Sequence, residues 1–298
     1  MRAANKLRAR ERGLMESVRN GLKWALVVAG LLAVAAFAAD NRKEFRYTVG
    51  PAASVIVTNE SGPVEVKGST GRQVVIIATT HSDKVEVDCS QNANRVQATT
   101  HFLQRADDPE GRVEYQVLVP SDASVTVHAS SGPMTVEKMR GDLTLEGDAA
   151  SVEVHDVSNA HVHVRTISGP VALSNINNGH VEITSLSGSV QLDAVSGPKV
   201  AVNTTKGLIR YNGDFGGGGD YMLVNHSGNI DVTLPAYASV DLSARSISGS
   251  VENDFPLQQK VHPTFAITEG RSFAGTSNTG ASSVQLRSFS GKIRVKKQ

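Results

Sequence analysis

Through the middle of the chain, apolar and polar residues alternate in short bursts that stop and restart on a nearly fixed step. Ser168-Gly-Pro-Val-Ala-Leu, Asn178-Gly-His-Val-Glu-Ile, Ser187-Gly-Ser-Val-Gln-Leu and Ser196-Gly-Pro-Lys-Val-Ala-Val follow one another almost without insertion, about every nine or ten residues. Alternation of this kind marks a strand with one buried face. A fixed period marks a solenoid, in which each unit buries its apolar side only by stacking on its neighbours.

Within one unit, Val171 and Leu173 are two apart and share a face, and Ile176 follows after a polar pair that bends the chain. The next units repeat the pattern with Val181, Ile183 and Leu186, then with Val190, Leu192 and Val195. Earlier units give Val162, Val164 and Ile167, then Val152, Val154 and Val157, then Met134, Val136 and Met139. Leu143 and Leu145 fit a degenerate unit between these last two. All are expected in the core, and the dominance of β-branched residues suits a pleated surface. The glycines are expected at corners, where a positive φ costs them nothing. Pro63, Pro133, Pro170 and Pro198 each follow a glycine, and their fixed φ suits a corner.

Two units make one coil of about 19–20 residues, with two short strands per turn. The fold class is therefore all-β, a single-stranded parallel β-helix or β-solenoid. With stacked strands about 4.8 Å apart, residues 132–251 give about six turns and a rod on the order of 30 Å long. Residues 40–130 read as longer, less regular strands that form the N-terminal turns and cap. Residues 131–254 are the regular repeats, and residues 255–298 a loop followed by closing strands. Phe255 to Thr279 breaks the period and is expected as a loop or lateral hairpin. The last strand, Lys292-Ile-Arg-Val-Lys-Lys, is rich in cations, a device that blunts an open sheet edge.

Residues 1–39 change the picture of where this coil resides. Trp24 to Ala39 is an uninterrupted apolar run, preceded by basic residues and ended by Asp40. Its sixteen residues are short for a membrane span, which needs roughly 20. Ala36-Phe37-Ala38 has the form of a signal-peptidase site. A secretory signal is the first reading and an uncleaved N-terminal membrane anchor the second; Met15 would give a more usual start for a signal. Either places residues 40–298 outside the cytoplasm, in the periplasm, on the cell surface or tethered to the membrane.

Charge and composition then remove function classes. The leader carries seven Lys/Arg and two Asp/Glu, which leaves 23 basic and 27 acidic residues in the rest, a net −4. A nucleic-acid binder needs a basic face instead. Cys89 is the only cysteine, so neither an intramolecular disulfide nor a cysteine metal cluster can form, and its place after an alternating strand suggests a buried, inert thiol. No P-loop, dinucleotide, HExxH or Ser-His-Asp signature occurs.

With these repeats in view, the chain resembles the bacterial β-strand-repeat domains of unknown function often labelled putative adhesins. The resemblance covers roughly residues 50–298. Besides the serial Ser-Gly-x-Val-x-Val units, it rests on Tyr115-Gln-Val-Leu-Val-Pro120 leading into Val125-Thr-Val-His-Ala-Ser-Ser-Gly132. It rests also on Ser227-Gly-Asn-Ile-Asp-Val-Thr-Leu-Pro235, on Arg245-Ser-Ile-Ser-Gly-Ser-Val-Glu-Asn-Asp-Phe-Pro256, and on the closing Val284-Gln-Leu-Arg-Ser-Phe-Ser-Gly-Lys-Ile-Arg-Val. It implies a β-solenoid in an exported or envelope-anchored protein and carries no catalytic residues and no cofactor to transfer.

The sharpest cluster of chemistry-bearing residues is His155, His161, His163 and His180. Units 19 residues apart place His161 and His180 on adjacent turns, with Glu182 beside His163. Imidazoles plus a carboxylate can bind Zn²⁺ or a similar ion, so His161, His163, His180 and Glu182 are the candidate metal ligands. Outward-facing solvated residues are the competing reading, because Val162 and Val164 take the core. Asp214-Phe-Gly-Gly-Gly-Gly-Asp220 carries one out-of-register fragment of a calcium-binding repeat and reads better as a flexible loop. Some parallel β-helices cleave polysaccharides, yet the outward Glu153, Glu182, Asp193 and Arg165 form no recognisable set. Residues 132–206 also hold no aromatic residue on which a sugar could stack. The functional expectation is thus a non-enzymatic structural or adhesive module of the bacterial envelope. Its partner would be an envelope protein or surface glycan, or another copy of the chain; no nucleic acid is expected. The alternatives are a polysaccharide-acting β-helix enzyme and a metal-binding envelope protein.

Overall fold

The computed structural model describes residues 41–298, so the leader lies outside the described residues. They form 25 strands and no helix. The N-terminal third contains β1 (Asn41–Thr48), β2 (Ser54–Asn59), β3 (Val64–Ser69), β4 (Gln73–Thr80), β5 (Val85–Asn92), β6 (Arg95–Phe102), β7 (Val113–Pro120) and β8 (Ser124–Ala129). The regular repeats are β9 (Pro133–Glu137), β10 (Leu143–Gly147), β11 (Ser151–Ser158), β12 (His161–Thr166), β13 (Val171–Asn177), β14 (His180–Ser185), β15 (Val190–Val195), β16 (Lys199–Thr204), β17 (Ile209–Asn212), β18 (Gly219–Asn225) and β19 (Ile230–Leu234). The chain ends with β20 (Val240–Ser246), β21 (Val251–Asn253), β22 (Gln258–Gln259), β23 (Ser272–Thr276), β24 (Ser282–Ser288) and β25 (Ile293–Lys297).

From β7 to β21 the strands alternate between two sheets. The first runs β1-β4-β7-β3-β9-β11-β13-β15-β17-β19-β25-β21, and the second β22-β23-β20-β24-β18-β16-β14-β12-β10-β8-β2-β6-β5. Within the repeats every pairing is parallel, and from β10 to β17 the register advances nineteen residues per coil, as in Val152 opposite Val171 and Val162 opposite Val181, against eighteen between β9 and β11. This is the β-solenoid with two short strands per turn. The inward residues of both sheets merge into one continuous apolar core. The coil from β16 to β18 is wider, with Val200 opposite Tyr221, because it also contains residues 214–218.

The two bends of each coil are built differently, although both look like polar-Gly steps in sequence. Strands of the first sheet bend internally at a residue with positive φ: Asp156 (57°), Asn175 (54°) and Ala194 (51°). That residue breaks the two-residue alternation, so Val157, Ile176 and Val195 turn back into the core. Asn tolerates this backbone region better than most residues, and Asn175 Nδ2 donates to Asp156 Oδ1 on the neighbouring coil at 3.3 Å.

Strands of the second sheet contain no such shift. Alternation therefore runs on from Val162 and Val164 to Thr166, and from Val181 and Ile183 to Ser185. These polar residues are buried, whereas Ile167 and Leu186, expected in the core, are 50% and 53% exposed. The same inward place is held by Asn59, Thr204, Asn225, Ser246 and Ser288, all buried. Each faces the turn that follows it. Thr166 Oγ1 donates to Gly169 O and Ser185 Oγ to Gly188 O, both at 3.2 Å, while Asn225 Oδ1 accepts from the Gly228 N–H at 2.6 Å. The side chain thus supplies partners that a buried turn would otherwise lack.

The glycines of these turns are needed for space, where positive φ had been expected. Gly169, Gly188, Gly207, Gly228, Gly249 and Gly291 do not have positive φ. A Cβ on Gly188 would lie 2.0 Å from Gly169 O, and one on Gly207 1.9 Å from Gly188 O. Successive coils touch backbone to backbone here.

The ends also depart from a simple coil. The cation-rich β25 closes no edge: it lies between β19 and β21, while β24 lies between β18 and β20. The C-terminal segment is threaded between two coils formed earlier in sequence. The edges at this end are β21, three residues, and β22, two residues, with β22 and β23 forming the lateral hairpin expected in residues 255–279. At the other end the edges are the eight-residue β1 and β5. Charged side chains on β1 (Arg42, Lys43, Glu44, Arg46) and β5 (Glu86, Asp88) discourage stray strand pairing.

Candidate functional site

The histidine cluster stands on the outer face of the second sheet. Because Val162, Val164, Val181 and Ile183 point inward, His161, His163, His180 and Glu182 point outward. The parallel register sets His161 opposite His180 and His163 opposite Glu182. The two imidazoles of His161 and His180 meet edge to face with centroids 5.1 Å apart. Glu182 is the hub: Oε1 accepts from Lys199 Nζ at 3.0 Å and lies 3.3 Å from His180 Nε2, and Oε2 lies 3.8 Å from His163 Nδ1. Lys199 first, then His180, holds the Glu182 carboxyl below the usual glutamate range. Asp142 accepts from the His161 backbone N–H at 3.1 Å. Among the described residues no group of three or more His, Cys, Asp or Glu is arranged to hold a metal ion. In this arrangement Glu182 is engaged by a lysine.

His155 does not join this cluster. It sits on β11 in the other sheet, with Nε2 3.5 Å from Glu137 and Nδ1 3.2 Å from Asp156. Sequence reasoning passed over His128, which stands on the histidine face with Nδ1 3.1 Å from Glu146. The clue was available: Val125 and Val127 take the core positions of β8, so His128 must face out.

The candidate catalytic residues are divided by the core. Arg165 and Glu182 project from the second sheet and Glu153 and Asp193 from the first, where the latter two are separated by strand β13 and by two residues of register, so these carboxylates do not converge. Cys89 is half-buried against the core, and burial pushes its thiol up to about 12. It is a protonated, unreactive group at neutral pH.

The glycine-rich segment, expected as a flexible loop, is anchored at Phe215, while Gly217 has open space around it. Phe215 is fully buried and stacks on Tyr211 with centroids 3.9 Å apart, and Tyr221 meets it edge-on. The Phe215 N–H donates to the Tyr211 hydroxyl, which donates to Val195 O. Burial raises the Tyr211 hydroxyl far above the usual phenol range.

A further surface emerges from the bends of the second sheet. The residue after each buried polar side chain is turned outward, and stacking brings Ile167, Leu186, Thr205, His226, Phe289 and Ile247 into one ridge along successive coils. At its C-terminal end the His226 and Phe289 rings stack at 4.9 Å, nearly coplanar. Beside them is a groove of about 510 Å³ lined by Asn203, Thr205, Ile247 and Arg287 as well as these two rings.

A family model described as Toastrack DUF4097 matches residues 53–296. No curated protein matches. Among solved structures, the chain is similar to a protein from Bacteroides fragilis described as a putative adhesin, at 10% identity and TM-score 0.42, covering 87% of this chain and 97% of that one. A protein from Parabacteroides merdae with the same description is similar at 12% identity and TM-score 0.42, covering 87% and 96%. One from Clostridium sporogenes described as a putative cell adhesion protein is similar at 10% identity and TM-score 0.27, covering 87% and 100%.

Proposed function

The chain belongs to the Toastrack DUF4097 family, and from that premise we propose that it is a non-catalytic interaction module of the bacterial cell envelope, exported through its leader. The observation that carries this reading is the repetition of side chains on a rigid outer surface. Outward positions recur at each coil step, about 4.8 Å, with differing residues in each row (His161, His180 and Lys199 in one, Arg165, Thr184 and Asn203 in another), so a long partner meets side chains at regular spacing along the surface. Multivalent contact needs a stiff support, and stacked coils sharing one core provide it. The partner is a surface glycan or an envelope protein. Glu153 and Asp193 stand two coils apart on one sheet and Glu182 stands on the other, which supports binding without turnover. Bacteria producing the full chain are expected to expose it to protease added to intact cells, and to attach more strongly to immobilised envelope polysaccharide than cells lacking it. Protection from the protease together with equal attachment would remove the reading.

The second reading is metal binding through His161, His163, His180 and Glu182. It is favoured by the convergence of His163 and His180 on one carboxylate, with His180 Nε2 and Glu182 Oε1 3.3 Å apart, near the ligand–ligand spacing of about 3.4 Å in a tetrahedral zinc site. Release of Lys199 from Glu182 would be required. A rise of the melting midpoint with Zn²⁺ that vanishes in the His161→Ala/His180→Ala double variant supports it, and no rise removes it.

A further inference from the structure

Arg245 and Arg287 occupy the same register position on the adjacent parallel strands β20 and β24. Like charges directly opposite each other on neighbouring strands are unfavourable. Elsewhere on the coil such positions are balanced, as with Lys67 and Glu137 or Asp231 and Arg294. Here neither arginine meets a carboxylate among the described residues. Arg287 donates only to the Gln285 side chain at 2.8 Å, and Arg245 lies over the Phe265 ring at 5.4 Å. Both are exposed. A local rule broken without an internal counter-charge marks a place kept for an external one.

The surroundings narrow what that partner is. The groove beside Phe289 continues across Arg287 and Ile247 into a second depression of about 270 Å³ lined by Arg245 and Phe265. Phe289 is 47% exposed and lies flat against His226, which leaves a rigid apolar ring at the groove wall. Asn203 and Thr205 line the opposite side with groups that donate and accept. Burial first, then Lys260 and Arg287, push the nearby His262 below the usual histidine range against the opposing effect of Asp241. The strands beneath, β18, β24 and β20, are hydrogen-bonded on both sides. An extended peptide therefore finds no free strand edge to join. A sugar polymer needs none: its ring faces pack on aromatic carbon, its hydroxyls bond to amides and hydroxyls, and its carboxylates match guanidinium forks.

We propose that the Arg245–Arg287 groove at the C-terminal end of the solenoid binds a carboxylate-bearing polysaccharide, with Phe289 as its stacking platform. This rests on the reading of the chain as an interaction module and supplies the ligand class. The test is affinity electrophoresis of the full chain through gels containing polygalacturonate, dextran sulfate or neutral dextran. Polygalacturonate should retard the wild-type chain, with retardation fading as salt is raised, and dextran should not. Arg245→Ala and Arg287→Ala should each weaken retardation about tenfold without lowering the melting midpoint, since each relieves the repulsion between the pair, and Phe289→Ala should weaken it by several-fold. Arg165→Ala, in the same row of the sheet but four coils away from Arg287, should behave as wild type. Retardation by dextran sulfate alone would overturn the carboxylate assignment. Polygalacturonate retardation indifferent to the three groove substitutions would overturn the site while leaving an interaction module that binds elsewhere. No retardation in any gel would overturn the groove proposal, and the interaction reading falls only if cell attachment is also absent.

Discussion

A Cβ on Gly188 would stand 2.0 Å from the carbonyl oxygen of Gly169. That relationship, repeated from coil to coil, fixes how closely the turns of the second sheet stack. Gly188→Ala pushes backbone against backbone, where no rotamer change gives relief. It should cost about 3 kcal/mol or more, at or above the usual range for overpacking. Gly217, with open space around its Cβ position, is the control, and Gly217→Ala should change stability by less than about 0.5 kcal/mol. Urea denaturation of both variants checks the contrast.

The buried polar row reverses the order of importance that hydropathy suggests. Ser185→Ala removes the donor to Gly188 O inside the core and should cost about 1–2 kcal/mol. Leu186→Ser, one residue later on the exposed ridge, should cost less than about 0.5 kcal/mol. Ile183→Ala should cost about 2–4 kcal/mol by leaving a cavity. Melting of the three variants should rank Ile183, then Ser185, then Leu186.

Acid should destabilise the coil through its surface carboxylates. Arg72 holds the Asp122 carboxyl below its ordinary range, Lys67 does so for Glu137, and Lys199 for Glu182. A carboxyl lowered in the folded state contributes stability in full above its unfolded value and loses it as pH falls through the folded value. The urea midpoint should therefore not decline on these groups' account until the pH falls below about 4.5, the ordinary glutamate value, and should then fall. All three groups are largely solvated, so each contribution is small, and 1 M salt should flatten the acid limb.

The C-terminal strands should matter out of proportion to their length. β24 and β25 separate β18 and β19 from β20 and β21, so removing residues 282–298 takes away an interior coil. The truncated chain should lose protection throughout residues 240–276 in limited proteolysis, while β9 to β15 stay protected as stacked neighbours. Cleavage confined to the new terminus would contradict the threaded arrangement.

Much of this architecture is legible in sequence because alternation and period are local. Val162 to Val164 and Val181 to Ile183 identify their faces, and the nineteen-residue step fixes His161 opposite His180. The errors arise where one residue changes parity. Nothing in Val-Arg-Thr-Ile-Ser-Gly distinguishes its bend from that of Val-His-Asp-Val-Ser-Asn until the positive φ of Asp156 is seen, so Ile167 was expected inward like Val157. Topology was hidden for another reason. β25 has the sequence of an edge strand, and only its long-range pairing with β19 and β21 shows it to be interior. The Arg245–Arg287 pair depends on the same long-range insertion, since the residues are 42 apart in sequence and join only because β24 lies beside β20. The histidine face was readable because its partners belong to consecutive coils.

The central claim is that the outer surface binds without turnover. The full chain incubated with polygalacturonate, followed by sedimentation for bound protein and by size-exclusion for polymer length, tests it most directly. The account predicts that protein sediments with the polymer and that the polymer's length distribution stays unchanged over hours. Shortening of the polymer in proportion to added protein would contradict it and give the carboxylates of the outer faces a catalytic role.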